Sequence, residues 1–288
     1  MKIIPHRKQK VTKVVAGYTG DSLSDIESKK GYLRNKSKHV SRTLTKLKPK
    51  SGYAHIVHII LVILLPVCLY VLVRLEFVQP AVILVLLSKW RMFAVKARHW
   101  LANIRANSVD ILVGVSTVLF MNKTQSPGLQ LVWAVLYAGW LLFIKPRSTS
   151  LWVGLQAVIG QAMGLMALYT VYGNASTAVL VAASGGISYV AARHFFSAFD
   201  ESLGRTTSYV WAYFTASLTW LLSHWLIYYG VVAQPVLIIT VVGYTLATLY
   251  YLRHTDRLSQ NVQRQFVVVL TAILLFLIVF SDWSDKAI

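Results

Sequence analysis

The chain has 288 residues, 56% of them hydrophobic and only 14% charged, yet its formal net charge is +19. Soluble domains carry about a quarter of their residues as charges, so this balance, with a mean hydropathy of +0.57, excludes a soluble enzyme and a disordered chain. Cys68 is the one cysteine, which excludes a disulfide scaffold. What remains is an all-α, polytopic integral membrane protein.

The charge is uneven. Residues 1–54 hold 14 Lys+Arg against Asp21, Asp25 and Glu27, and the other 234 residues hold 15 Lys+Arg and 7 acids. The chain therefore divides into a basic cytoplasmic tail, 1–54, and a transmembrane domain, 55–288. The tail is too long for the n-region of a secretory signal, and Met1–Gly20, though free of acids, is too poor in Arg and Ser for a transit peptide. Within it, Leu33, Val40, Leu44 and Leu47 recur at helical spacing and Pro49 ends the run. Arg42, Lys46 and Lys48 fill the other face, as in an amphipathic helix near 33–48 lying on anionic headgroups. The plainer alternative is a disordered basic tail. Few aromatics and no recognisable fold disfavour nucleic-acid binding.

Nine apolar segments follow, about 20 residues being needed to span a bilayer: 55–75, 77–95, 107–122, 129–145, 150–172, 176–196, 208–229, 232–252 and 264–282. The first opens with His55 and His58, two histidines with no third ligand nearby, so neither a metal nor a cofactor is expected. Arg74 and Glu76 at its far end suggest a local pair. The second is the weakest, because its apolar stretch Ala81–Leu87 is short and Lys89 and Arg91 must snorkel. Trp90, Phe93, Ala97, Trp100 and Ile104 continue it as an amphipathic connector near 89–105, with Lys89, Arg91, Lys96 and Arg98 facing lipid headgroups.

Asp110, at the start of the third segment, is the acid nearest the membrane body and the proton- or cation-coupling candidate; with Arg105 five residues upstream, an interfacial position is the structural alternative. In the fifth, Gly160 and Gly164 form a small-xxx-small site, and Gln156 and Gln161 are polar groups seeking neighbours, so this helix is central or a homo-oligomer face. Ser184 in the sixth and His224 in the seventh lie at similar depth and could form a hydrolytic dyad, although Ala182 stands where a Gly-x-Ser-Gly motif needs glycine. Pro66, Pro80 and Pro235 are kink candidates. Trp133, Trp140, Trp152, Trp211, Trp225 and Trp283 fall near helix ends, as an aromatic belt would. Arg193-His194, Asp200-Glu201, Arg205 and Arg253–Arg257 could grip a phosphate or magnesium, but mutual pairing at helix ends explains them more simply.

With the tail inside, the inner loops carry 12 Lys+Arg and the outer segments 3, which predicts nine spans with a cytoplasmic N-terminus and an external C-terminus. No phosphate loop, zinc signature or paired-aspartate motif is present. The leading expectation is a non-enzymatic protein of the cell membrane, rather than an organellar one: a scaffold or the membrane subunit of a larger assembly, contacting anionic phospholipids or a protein partner. The main alternative is a transporter or lipid flippase with a polar cavity lined by Gln156, Gln161, Asn174, Ser184 and Tyr189. A membrane-embedded hydrolase or transferase comes third.

Overall fold

The computed structural model describes residues 53–90, 100–199, 201–225, 227–229 and 232–280. The expected tail helix near 33–48 lies outside them, with Arg42, Lys46, Lys48, Arg91, Lys96, Arg98, Asp200 and Trp283. Contacts divide the chain into units 1–57 and 58–288; the helices below pack within the second.

Among the described residues there are nine α-helices: α1 (Tyr53–Arg74), α2 (Val78–Leu87), α3 (Trp100–Lys123), α4 (Pro127–Gly139), α5 (Ser150–Tyr172), α6 (Thr177–Phe196), α7 (Gly204–Leu222), α8 (Gln234–His254) and α9 (Gln260–Val279). A π-helical turn, Trp140–Ile144, extends α4. Six of these stretches are long and apolar enough to cross a membrane, in α3, in α4 with its π turn, and in α5, α6, α8 and α9. At about 1.5 Å per residue, the 10 residues of α2 reach only half of a ~30 Å hydrocarbon core. In α7, Thr206, Thr207, Ser208, Thr215, Ser217 and Thr219 dilute the apolar character.

Several boundaries differ from the sequence expectation. α2 stops at Leu87 rather than 95, its Ser88 hydroxyl donating to Val85 O. α3 begins at Trp100, seven residues before 107. The seventh segment does not stay helical to 229: α7 ends at Leu222, a 3-10 turn covers Ser223–Trp225, and Tyr228–Tyr229 pairs antiparallel with Val232–Ala233. The β-branched and aromatic residues on either side of Gly230 favour that hairpin. Of the three proline kink candidates, Pro66 is the one in a helix interior. Pro80 and Pro235 occupy first turns, where a missing N–H leaves no bond unmade. Two chain reversals use a left-handed residue other than glycine: Glu76 after α1 and Asp256 after α8 have φ of 63° and 54°. In each the following N–H bonds back five residues, Phe77 to Leu72 O and Arg257 to Leu252 O, which satisfies helix-end carbonyls.

α5 is central, packing against α3, α6 and α8. Leu69, Val85, Val109, Val113 and Tyr137 build one core from α1–α4, and Leu165, Tyr169, Leu180 and Ile239 build a second from α5, α6 and α8. α6 and α7 lie close along small residues: a Cβ on Gly185 would stand 3.3 Å from that of Ala216. The Gly160–Gly164 stripe is filled inside the chain. A Cβ on Gly160 would come within 2.7 Å of Val109 Cγ1, and one on Gly164 within 2.8 Å of Leu112 Cδ1. That stripe seats α3 and is not open to a second copy.

Gly160→Ala should therefore destabilise the bundle by about 1–3 kcal/mol through overpacking. Gly186→Ala, whose Cβ would meet nothing within 4 Å, should be neutral or stabilising. Thermal unfolding of both variants in detergent checks this contrast.

Candidate functional site

Two features of the bundle combine polar groups with burial. The first surrounds Asp110, 9% exposed on α3. Its Oδ2 receives Lys89 Nζ at 3.3 Å, from the turn after α2, and Lys145 Nζ at 2.5 Å, from the end of the π turn. Its Oδ1 receives Trp140 Nε1 at 3.2 Å. The extra residue of the π turn sets this register, so Trp140 and Lys145, five apart, both reach one carboxylate. One anion thus faces two cations. A coupling cation would have to displace both ammonium groups, so the arrangement fits a counter-charge better than an open cation site.

Lys89, expected among the headgroups, is instead 9% exposed against Asp110, because α2 is too short to carry it to the interface. Arg105, five residues upstream of Asp110, is exposed. Among the described residues, the ion pairs are the two on Asp110, and Arg74 and Glu76 do not pair.

Next to this cluster, Gln156 Nε2 donates to Ile144 O at 2.8 Å and Arg147 O at 2.9 Å, closing the carbonyls that the π turn leaves open. Its Oε1 lies 3.0 Å from His194 Nε2 on α6. Gln130 acts in the same way at the end of α3, donating to Met121 O and Thr124 O. Gln156 thereby links the turn that carries Arg147 to His194 on α6.

The second feature is a cleft of about 270 Å³ between α5, α6, α7 and α8. Ala157, Ala191, Ala192 and Gly243 keep it open, and Phe195, Phe196 and Tyr250 form one wall. The wall is an edge-to-face aromatic cluster: Phe195 and Phe196 meet at 5.2 Å, and they contact the Tyr250 ring at 5.6 and 5.3 Å. The Tyr250 hydroxyl donates to Glu201. Tyr244 and Leu246, about half exposed, border it on the outer surface of α8. A second cleft of about 230 Å³, reaching Ser150 and Thr248, shares Val158, Phe195, Tyr244 and Ala247 with it.

The lining contains no charged residue. Trp211 Nε1 donates to Gln161 Oε1 at 3.0 Å, which orients the buried amide. A Cβ on Gly243 would stand 3.1 Å from the Trp211 ring and 3.4 Å from Gln161 Nε2. Glycine at 243 therefore lets that pair lie directly on α8. Of the five residues expected to line a polar cavity, only Gln161 does so. Gln156 caps the π turn, Asn174 is exposed, Ser184 is buried on α6, and Tyr189 stacks on Tyr209 at 4.8 Å.

The other candidates are engaged locally. Ser184 Oγ donates to Val181 O at 3.1 Å, and exposed His224 holds Nδ1 2.9 Å from Trp220 O, so the structure ties each to its own segment. Trp140 and Trp211, expected in an aromatic belt, are interior donors, because a buried indole N–H needs an acceptor. No group of three or more metal-ligating side chains occurs among the described residues. Comparison of the chain with family models, curated proteins and solved structures finds no match.

Asp110→Asn would leave two ammonium groups against a neutral side chain, and a loss of about 3–5 kcal/mol in folding stability is expected; denaturant unfolding in detergent measures it.

Proposed function

We propose that this chain is a multi-pass membrane protein that takes an amphipathic molecule from the bilayer into the α5–α8 cleft, acting as a carrier or transporter of lipid-like substrates. The observation that carries this reading is the cleft itself: an apolar cavity with a few polar groups, bordered by residues on the outer surface of the bundle, is the usual form of a site for such a ligand. The proposed topology is nine spans, the N-terminus cytoplasmic and the C-terminus external, in the cell membrane. The basic tail and the inner loops would then rest on anionic phospholipids. In this reading α2 spans with help from its neighbours, and the Lys89–Asp110–Lys145 cluster holds it in place.

A second reading, the membrane subunit of a larger assembly, draws on α9. This helix is strongly apolar, yet Leu277 is its one buried residue. Lipid or a partner helix would cover the rest.

Purification in mild detergent followed by native mass spectrometry separates the two. A bound small amphiphile in the wild type, lost in Ala247→Phe with the fold intact, supports the carrier reading. A stoichiometric protein with no bound amphiphile would replace it with the subunit reading.

A further inference from the structure

We infer that the ligand of the α5–α8 cleft is an uncharged amphiphile whose carbonyl or hydroxyl oxygen is received by Gln161 Nε2 and Thr240 Oγ1. This rests on the carrier reading and adds the chemistry of its substrate.

Thr240 differs from four other helical threonines. Thr117, Thr207, Thr215 and Thr248 each donate to the carbonyl four residues back, at 2.8–3.1 Å. Thr240 also lines the cleft, but its hydroxyl is buried without a partner. A buried unpaired hydroxyl is costly and rare, and a bound ligand is one way to satisfy it. Gln161 supplies the matching donor. Indole N–H can only donate, so Trp211 fixes Gln161 Oε1 as the acceptor and turns Nε2, with two hydrogens, the other way. That nitrogen lies against α8 at Gly243, one turn after Thr240. Residues three apart share a helix face, with Cβ atoms about 5–6 Å apart. The cleft therefore offers an amide donor and a hydroxyl within a span that one carbonyl or one ester group can bridge.

The absence of Lys, Arg and His from the lining decides the charge. A carboxylate or phosphate there would lose its hydration with no cation in return, whereas a neutral oxygen needs only hydrogen bonds. The volume, about 270 Å³, suits part of one acyl chain and its linkage, and the open side leaves the remainder in lipid.

The test uses the full chain in detergent and three photoreactive probes with the same chain length: a monoacylglycerol, an alkane and a fatty-acid anion. The readout is label mapped to cleft residues by mass spectrometry. In the wild type the monoacylglycerol should label roughly three- to tenfold more than the alkane, the equivalent of one or two net hydrogen bonds. Thr240→Val, which keeps the shape, should bring that ratio toward one with alkane labelling unchanged, and Thr240→Ser should restore it. Gln161→Leu should act in the same direction. Equal labelling by ester and alkane in the wild type, a preference for the anion, or a ratio unmoved by both substitutions overturns the inference and leaves the carrier reading standing. If none of the probes labels the cleft, both fall.

Discussion

The α1–α4 half of the bundle is organised around a single carboxylate. Asp110 is the one point at which the turn after α2, the middle of α3 and the π turn after α4 touch through charge. Bringing an ion out of water costs several kcal/mol even after relaxation, so a lone aspartate at this depth would be expelled or protonated. Two lysines and an indole N–H offset that cost together. The arrangement explains why a ten-residue helix such as α2 can be held at all: its end is held by Lys89 while its apolar body, Ala81 and Val85, fills the core beside α3. It also explains the π turn, an irregularity with no other visible purpose, which brings Trp140 and Lys145 to the same group.

The bundle's two halves use polarity differently. Around Asp110, charges neutralise one another and the backbone carbonyls at the ends of α3 and α4 are closed by Gln130 and Gln156. Around Gln161 there are no charges, one pairing is complete, and the Thr240 hydroxyl is left unsatisfied. The first pattern rigidifies; the second leaves capacity for something else. Small residues on α5, α6 and α8 keep space open between them, while the Phe195–Tyr250 cluster keeps the wall from collapsing into it.

The helical segments were legible in the sequence because long apolar runs separated by polar turns admit little else in a membrane. The six long apolar stretches all fall where hydropathy puts them. Boundaries were less legible: α3 begins early because Trp100–Arg105, read as part of a separate amphipathic connector, is continuous with the helix, and the hairpin at Tyr228–Ala233 hides in an apolar run. Asp110 could be singled out as a rare intramembrane acid, and Gln156 and Gln161 as groups needing partners. Their partners could not, since Lys89, Lys145, Trp140 and Trp211 all read as interfacial residues until the fold brings them inward. Thr240 gave no signal at all, for nothing in a sequence distinguishes a helical threonine that bonds to its own backbone from one that does not.

The two carbonyls held by Gln156 have an effect beyond capping. Because Nε2 of that amide is committed to Ile144 O and Arg147 O, only the oxygen is left to face His194. An amide oxygen cannot donate, so His194 must carry a hydrogen on Nε2. Its imidazole is thereby confined, while neutral, to one tautomer, with Nδ1 as the basic nitrogen. The short run from α6 through the amide to the end of α4 therefore has a fixed polarity: protons are presented from the ring toward the turn and never the reverse.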